Sequence, residues 1–197
     1  MNVKIYRLGK DMADEYIDYF DNRAFSDGNV NKGCYCVWHH WTDKHEYERS
    51  LLPESERPNV KKNYAKELIQ NGELNGFAAF CDDNMVGFCN ADAKQNYFRL
   101  NRENAPNSWQ GVSDDDKILS VVCFTVAPEM RGKGIAKALL KAVCEYANES
   151  GYDYVEGYPP LGEYTVNDCG GSVSMYKNQG FDIIEIPNGL IARKSLK

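Results

Sequence analysis

Residues 118–126 read Ile-Leu-Ser-Val-Val-Cys-Phe-Thr-Val, apolar along almost the whole run. Such a strand has no face to turn to water, so it belongs at the centre of a sheet with cover on both sides. The chain continues through Val-Ala-Pro-Glu-Met-Arg-Gly-Lys-Gly-Ile-Ala at 126–136 into the clearest helical pattern of the sequence. Ile135, Ala138, Leu139, Ala142, Val143, Tyr146 and Ala147 recur at steps of three and four. That spacing predicts a helix over Arg131–Ser150, stopped by Gly151. A buried strand feeding an amphipathic helix through a glycine turn places this half of the chain in an α/β sheet.

The flanking segments fit that class. Gly76–Cys81 and Met85–Ala91, joined at Asp82-Asp83-Asn84, read as a hairpin. Tyr152–Tyr158, Phe181–Ile186 and Leu190–Lys194 read as further strands, and Ser172–Asn178 as a short helix. Upstream, Asp11–Phe25 carries Met12, Tyr16, Tyr19 and Phe20 in helical register, and Asn59–Asn71 ends at a capping Gly72. Tyr47–Leu52 reads as a helical turn. Residues 94–117 are polar and long for a connection, the pattern of a functional or mobile loop. With 197 residues, 43% of them hydrophobic, the chain can build one core, and one domain over 1–197 is the reading.

The formal net charge of −6 argues against a nucleic-acid binder, which needs a basic face. It suits a cationic small partner and equally suits plain surface solubility. No run of ~18 apolar residues exists to span a membrane. Met1–Lys10 mixes charge and polarity, unlike a secretory leader. Seven cysteines, an odd number scattered through apolar stretches, read as reduced thiols and so as a cytoplasmic protein. Cys123 lacks a recognisable His/Asp partner and reads as a buried structural thiol. Cys34, Cys36, His39 and His40 lie close in sequence, but without the spacing of a zinc site, so no metal is expected.

Residues 126–136 carry the chemistry. A helix N-terminus presents unpaired N–H groups and a partial positive charge, which suit a phosphate. Gly132 and Gly134 let the backbone curl close to an anion, and Arg131 and Lys133 add charge at the mouth. A tight strand-to-helix turn with incidental charges would look the same. The pattern G-x-x-x-x-G-K-S/T is absent, and Lys137 stands where G-x-G-x-x-G needs its third glycine.

What remains, Arg131-x-x-Gly134-x-Ala136 after a strand ending Val-Ala-Pro-Glu, strongly resembles the signature of the GNAT superfamily of N-acetyltransferases. Ser172–Phe181, with Tyr176 ahead of Gly180-Phe181, resembles its C-terminal helix. The resemblance runs roughly from Gly76 to Ile186. It implies a mixed, mostly antiparallel central sheet with splayed central strands flanked by helices. Residues 76–186 would bind acetyl-CoA and the helical part, 1–75, would face the acceptor. Backbone at Arg131, Gly132, Lys133, Gly134, Ile135 and Ala136 would hold the pyrophosphate. Backbone at Phe124 and Val126 would pair with the pantetheine arm like an added strand. Tyr176 would protonate the leaving thiolate or merely pack beneath it. Cys169 stands where the family often has Asn.

The implied activity is direct transfer of an acetyl group to a small-molecule or peptide amine, with a homodimer compatible. A non-catalytic acetyl-CoA sensor would carry the same loop. The proton acceptor is open between Glu156, His39, His40 and a water chain. Tyr35, Trp38 and Trp41 suit an acceptor wall as well as a core, and the first of these readings brings His39, His40 and Trp41 near the acceptor.

Overall fold

The computed structural model describes residues 2–197. Seven strands form one sheet: β1 (Val3–Arg7), β2 (Gly76–Cys81), β3 (Asn84–Ala93), β4 (Ile118–Val126), β5 (Tyr154–Gly157), β6 (Asp182–Ile186) and β7 (Gly189–Ser195). Their spatial order is β1-β2-β3-β4-β5-β7-β6. Every neighbouring pair is antiparallel except β4–β5. A parallel pair needs a crossover, and α4 (Ile135–Glu149) supplies it. The other helices are α1 (Ala13–Asn22), α2 (Asp43–Ser50), α3 (Arg57–Asn71) and α5 (Val173–Lys177).

β4 is buried at every position but Val126, as its apolar run requires. Both sheet faces are covered. Gly87 of β3 faces Ile135 of α4, while the next residue, Phe88, meets Tyr16 of α1 with ring centroids 4.9 Å apart. Successive strand residues point to opposite faces, so α1 and α4 lie on opposite sides of the sheet. Ile135, Leu139, Leu140, Val143 and Ala147 form the buried stripe of α4.

The structure departs from the sequence reading in four places. Val3–Arg7 is an edge strand, hidden in the sequence because Lys4 and Arg7 interrupt its apolar residues. The helix expected from Arg131 starts at Ile135, because Gly132 and Gly134 hold φ of +73° and +84° and cannot extend a right-handed helix. The turn expected over Tyr47–Leu52 is α2, capped by Thr42, whose Oγ1 accepts from the His45 N–H. None of its residues is buried, so it carries no apolar period.

The fourth departure concerns mobility, one of the two readings of residues 94–117 as a functional or mobile loop; Leu100 and residues 104–108 line a cavity. This stretch folds into short 3₁₀ turns and is bolted to the sheet. Trp109 Nε1 donates to the Leu100 carbonyl at 2.6 Å, and Arg193 of β7 donates to the Gln110 carbonyl at 2.7 Å. Lys94 donates to the Ser108 carbonyl and, at 2.5 Å, to Glu156 of β5.

One feature of the sheet positions the site. β4 and β5 pair only from Ile118–Tyr154 to Val121–Gly157. β5 then ends while β4 runs on to Val126. The two central strands part there, and a cleft opens beside the outer half of β4.

Candidate functional site

The cleft encloses about 390 Å³. Its floor is Phe124, Thr125 and Val126 of β4, one end is the 130–137 turn, and the 164–169 segment closes the opposite wall. Among the described residues, no chain carbonyl accepts from the backbone N–H groups of Gly132, Lys133 and Gly134. The first hydrogen bond of α4 runs from Ala138 N–H to the Gly134 carbonyl at 3.0 Å. The N–H groups of Ile135, Ala136 and Lys137 therefore have no partner within the helix. A row of unaccepted amides at a helix N-terminus, opening on a cleft, fits the charge of a diphosphate.

Other predicted contacts meet competition. The amides of Met130 and Arg131 already donate to Ala127 and Pro128 carbonyls at 2.8 and 3.3 Å, so the free row begins at Gly132. Arg131 was expected at the mouth as a phosphate cation. Its Nη1 instead pairs with Asp27 at 2.5 Å, and its Nε donates to the Val126 carbonyl at 3.2 Å. The Arg131 guanidinium holds the Asp27 carboxyl below the usual range. Lys133 is exposed and stands outside the cleft lining.

The pairing expected of Phe124 with an incoming arm is also taken. Phe124 N–H donates to the Cys169 carbonyl at 2.7 Å, so residues 169–171 lie against β4 where β5 has stopped. Gly170 and Gly171 permit this. A Cβ on Gly170 would sit 2.1 Å from the Tyr158 carbonyl oxygen, and one on Gly171 2.6 Å from Met175. In this arrangement the arm can use the edge near Phe124 only if that segment yields.

Tyr176 requires a correction as a proton donor. Its ring is fully buried and absent from the cleft lining, and its hydroxyl donates to the Gly170 carbonyl at 3.0 Å. It supports the segment that walls the cleft. The phenol that does line the cleft is Tyr164, half exposed, with burial of its surroundings raising its pKa. Sequence reasoning passed over Tyr164 because it sits in a Pro/Gly-rich loop without periodicity. That loop is tied across to the N-terminal region. Asn29 donates to the Val166 carbonyl and Asn31 to the Asn167 carbonyl, at 3.0 and 2.8 Å.

The candidate bases separate. Glu156 is fully buried between Lys94 at 2.5 Å and Arg193 at 2.6 Å, neutralised by two cations. His39 lines a second cavity, of about 510 Å³, with Leu100, Tyr158, Leu161 and Leu190. The same 158–171 segment thus contributes to both hollows. His40 faces a different depression beside Asp92. Trp41 is core, packed on Tyr64 with its indole N–H on Glu46. Tyr35 is also core, and Trp38 is exposed with Arg99 stacked on it at 3.8 Å. The aromatic run is therefore mainly structural.

Burial pushes both His39 and His40 down to about 4, with no hydrogen-bond partner for Nδ1 of His39 or Nε2 of His40. Both rings are neutral when folded at pH 7. The unfolded chain takes up these protons near 6.5, the folded one only near 4, so stability is full above about 6.5 and is lost as pH falls towards 4. Each ring contributes up to about 3 kcal/mol to that loss. Melting curves from pH 7 to 4.5 should fall steeply, and His40→Asn should flatten the slope. An unchanged slope would show that the rings are not held neutral.

Comparison with known proteins agrees with the architecture. A β4–β5 splay with a glycine turn leading into α4 defines the acetyltransferase type of α/β domain. The chain matches the family model described as Acetyltransferase (GNAT) family over residues 34–181, and it belongs to that family. No curated protein matches it. Among solved structures it is similar to PaiA N-acetyltransferase from Thermoplasma acidophilum in complex with coenzyme A, at 16% identity and TM-score 0.56, covering 99% of each chain. It is similar to an N-acetyltransferase from Staphylococcus aureus Mu50, at 14% identity and TM-score 0.55, covering 100% of each. The GNAT domain of S. lividans PAT is similar at 14% identity and TM-score 0.58, covering 98% of this chain and 90% of that one. At such identities the likeness establishes the fold. Among the described residues no helix is long and apolar enough to cross a membrane.

Proposed function

We propose that this acetyltransferase moves an acetyl group from acetyl-CoA directly to the amine nitrogen of a small-molecule or peptide acceptor. The observation that carries the reading is the row of unaccepted amides from Gly132 to Ala136 at the end of the splayed strand. These amides would hold the diphosphate, with Lys133 at the rim. The Arg131–Asp27 pair braces the turn, with Arg131 still among the residues lining the cleft. Acetyl-CoA, when bound, supplies the acyl group as a thioester, and the chain's own residues position the partners and handle the protons.

Tyr164 is the proton donor in this reading. It lines the cleft, and a phenol of ordinary pKa about 10 already carries its proton at neutral pH. Burial raises that pKa and so weakens it as an acid, which keeps the expected contribution small. Tyr164→Phe should lower kcat roughly 10-fold with little change in the KM for acetyl-CoA, a modest effect because a thiolate is already a stable leaving group. Tyr176→Phe should cost about 1 kcal/mol of stability through its lost Gly170 bond and leave kcat near normal. The reverse outcome would return the role to Tyr176.

The acceptor enters the cavity that His39 helps line, and a water chain takes the ammonium proton, because burial holds the His39 pKa down at about 4 and its Nδ1 is enclosed. The lining there contains no carboxylate and is largely apolar, which favours an amine carried on an uncharged, apolar body. A thiol-release assay with acetyl-CoA against aryl-alkyl amines, polyamines, aminoglycosides and peptide N-termini tests the reading. Release with the first class supports it. Tight coenzyme A binding without release for any amine would make the protein a sensor.

A further inference from the structure

Two buried thiols from distant segments meet next to the cleft floor, and a third, Cys169, lines the cleft. Cys36 comes from the N-terminal turn, Cys123 from β4 and Cys169 from the closing segment. Cys36 Sγ and Cys123 Sγ lie 2.7 Å apart, and both residues are buried. Cys36 is fixed there by its backbone. Tyr35 and Cys36 both hold positive φ, 45° and 47°, a region that side chains with a Cβ seldom occupy. The turn is clamped by Tyr16 donating to the Tyr35 carbonyl, Asn90 donating to the Cys36 carbonyl, and the Tyr35 hydroxyl on Asp21, at 2.8, 2.8 and 2.5 Å. A strained turn held by three hydrogen bonds fixes one sulfur against another.

We propose that Cys36 and Cys123 form a reversible disulfide, a modification site that takes a hydroperoxide as oxidant and links the N-terminal turn to the strand flooring the cleft. The sulfurs need approach by less than about 1 Å to reach bond length. The neighbouring Cys169 and Cys36 thiols lower the Cys123 pKa and favour it as the nucleophile, while burial raises that of Cys36. Cys169 lines the cleft beside Phe124, and oxidation of the buried Cys123 requires hydrogen peroxide to pass inward from that side.

The Cys123 thiolate attacks one peroxide oxygen. The O–O bond breaks, and hydroxide leaves to be protonated to water. The resulting sulfenic acid is attacked at sulfur by Cys36, which gives up its proton. The S–O bond breaks, and that oxygen leaves as the second water. Two thiols and one peroxide give one disulfide and two waters. Two equivalents of an external thiol reverse the bond.

Intact-mass measurement and non-reducing peptide mapping of the full chain, before and after dilute hydrogen peroxide, test this. The expected result is a loss of about 2 Da, reversed by dithiothreitol, with a peptide linking Cys36 to Cys123. Cys169→Ser should keep the link and Cys36→Ser should lose it. A link between Cys123 and Cys169, persistence of the loss in Cys36→Ser, or independent over-oxidation of the two sulfurs in the folded protein would overturn the proposal. If Cys36→Ser does not fold, the wild-type map decides alone. The measurement needs no substrate, so its failure and the failure of acetyl transfer are separate results.

Discussion

Gly134→Val is expected to weaken coenzyme A binding by roughly 1000-fold, about 4 kcal/mol, while the protein still folds. Gly134 has φ +84° and ψ 8° and is the N-cap of α4. A β-branched residue there adds about 1–2 kcal/mol of backbone strain, which most domains survive. A Cβ at this position meets no protein atom within 4 Å, so packing does not forbid it. The damage falls on the amides. Valine turns residue 134 away from the left-handed region, and the N–H groups of Gly132 to Ala136 no longer open together on the cleft. Calorimetric titration with coenzyme A checks the loss, and a circular dichroism melt checks the fold. A folded variant with wild-type affinity would refute the diphosphate assignment.

Glu156→Leu is expected to cost about 3–5 kcal/mol of stability, or about 10 °C or more in Tm. Glu156 faces Arg193 across the β5–β7 pair and also holds Lys94, whose pKa burial lowers. Removing the carboxylate leaves two cations buried against each other, and leaving buried charges unpaired is far costlier than losing an exposed pair. The same change should loosen residues 94–117, since Lys94 and Arg193 both hold carbonyls of that stretch. Urea unfolding and amide exchange over 94–117 measure both effects. Normal stability with lost turnover would instead restore Glu156 as a base.

Most of the core was legible from pattern. The apolar run of β4 and the three-and-four spacing of α4 survive any tertiary context, because no other arrangement buries them. The glycine turn was legible because positive φ at Gly132 and Gly134 follows from a local need. β1 and α2 were hidden because an exposed edge strand and an exposed helix carry little apolar period. The side-chain assignments of the site fared less well. Arg131 and Tyr176 sit where the motif puts them, yet their polar atoms go to Asp27 and Gly170.

The sequence by itself determined the α/β class, the buried central strand and the anion-ready helix terminus, because hydrophobic period and glycine conformation are local properties. Only the tertiary structure decided which phenol lines the cleft, that Glu156 is locked between two cations, and that thiols far apart in sequence meet at one point. Those outcomes depend on how residues distant along the chain compete for the same hydrogen bonds and charges, and no single stretch of sequence carries that competition.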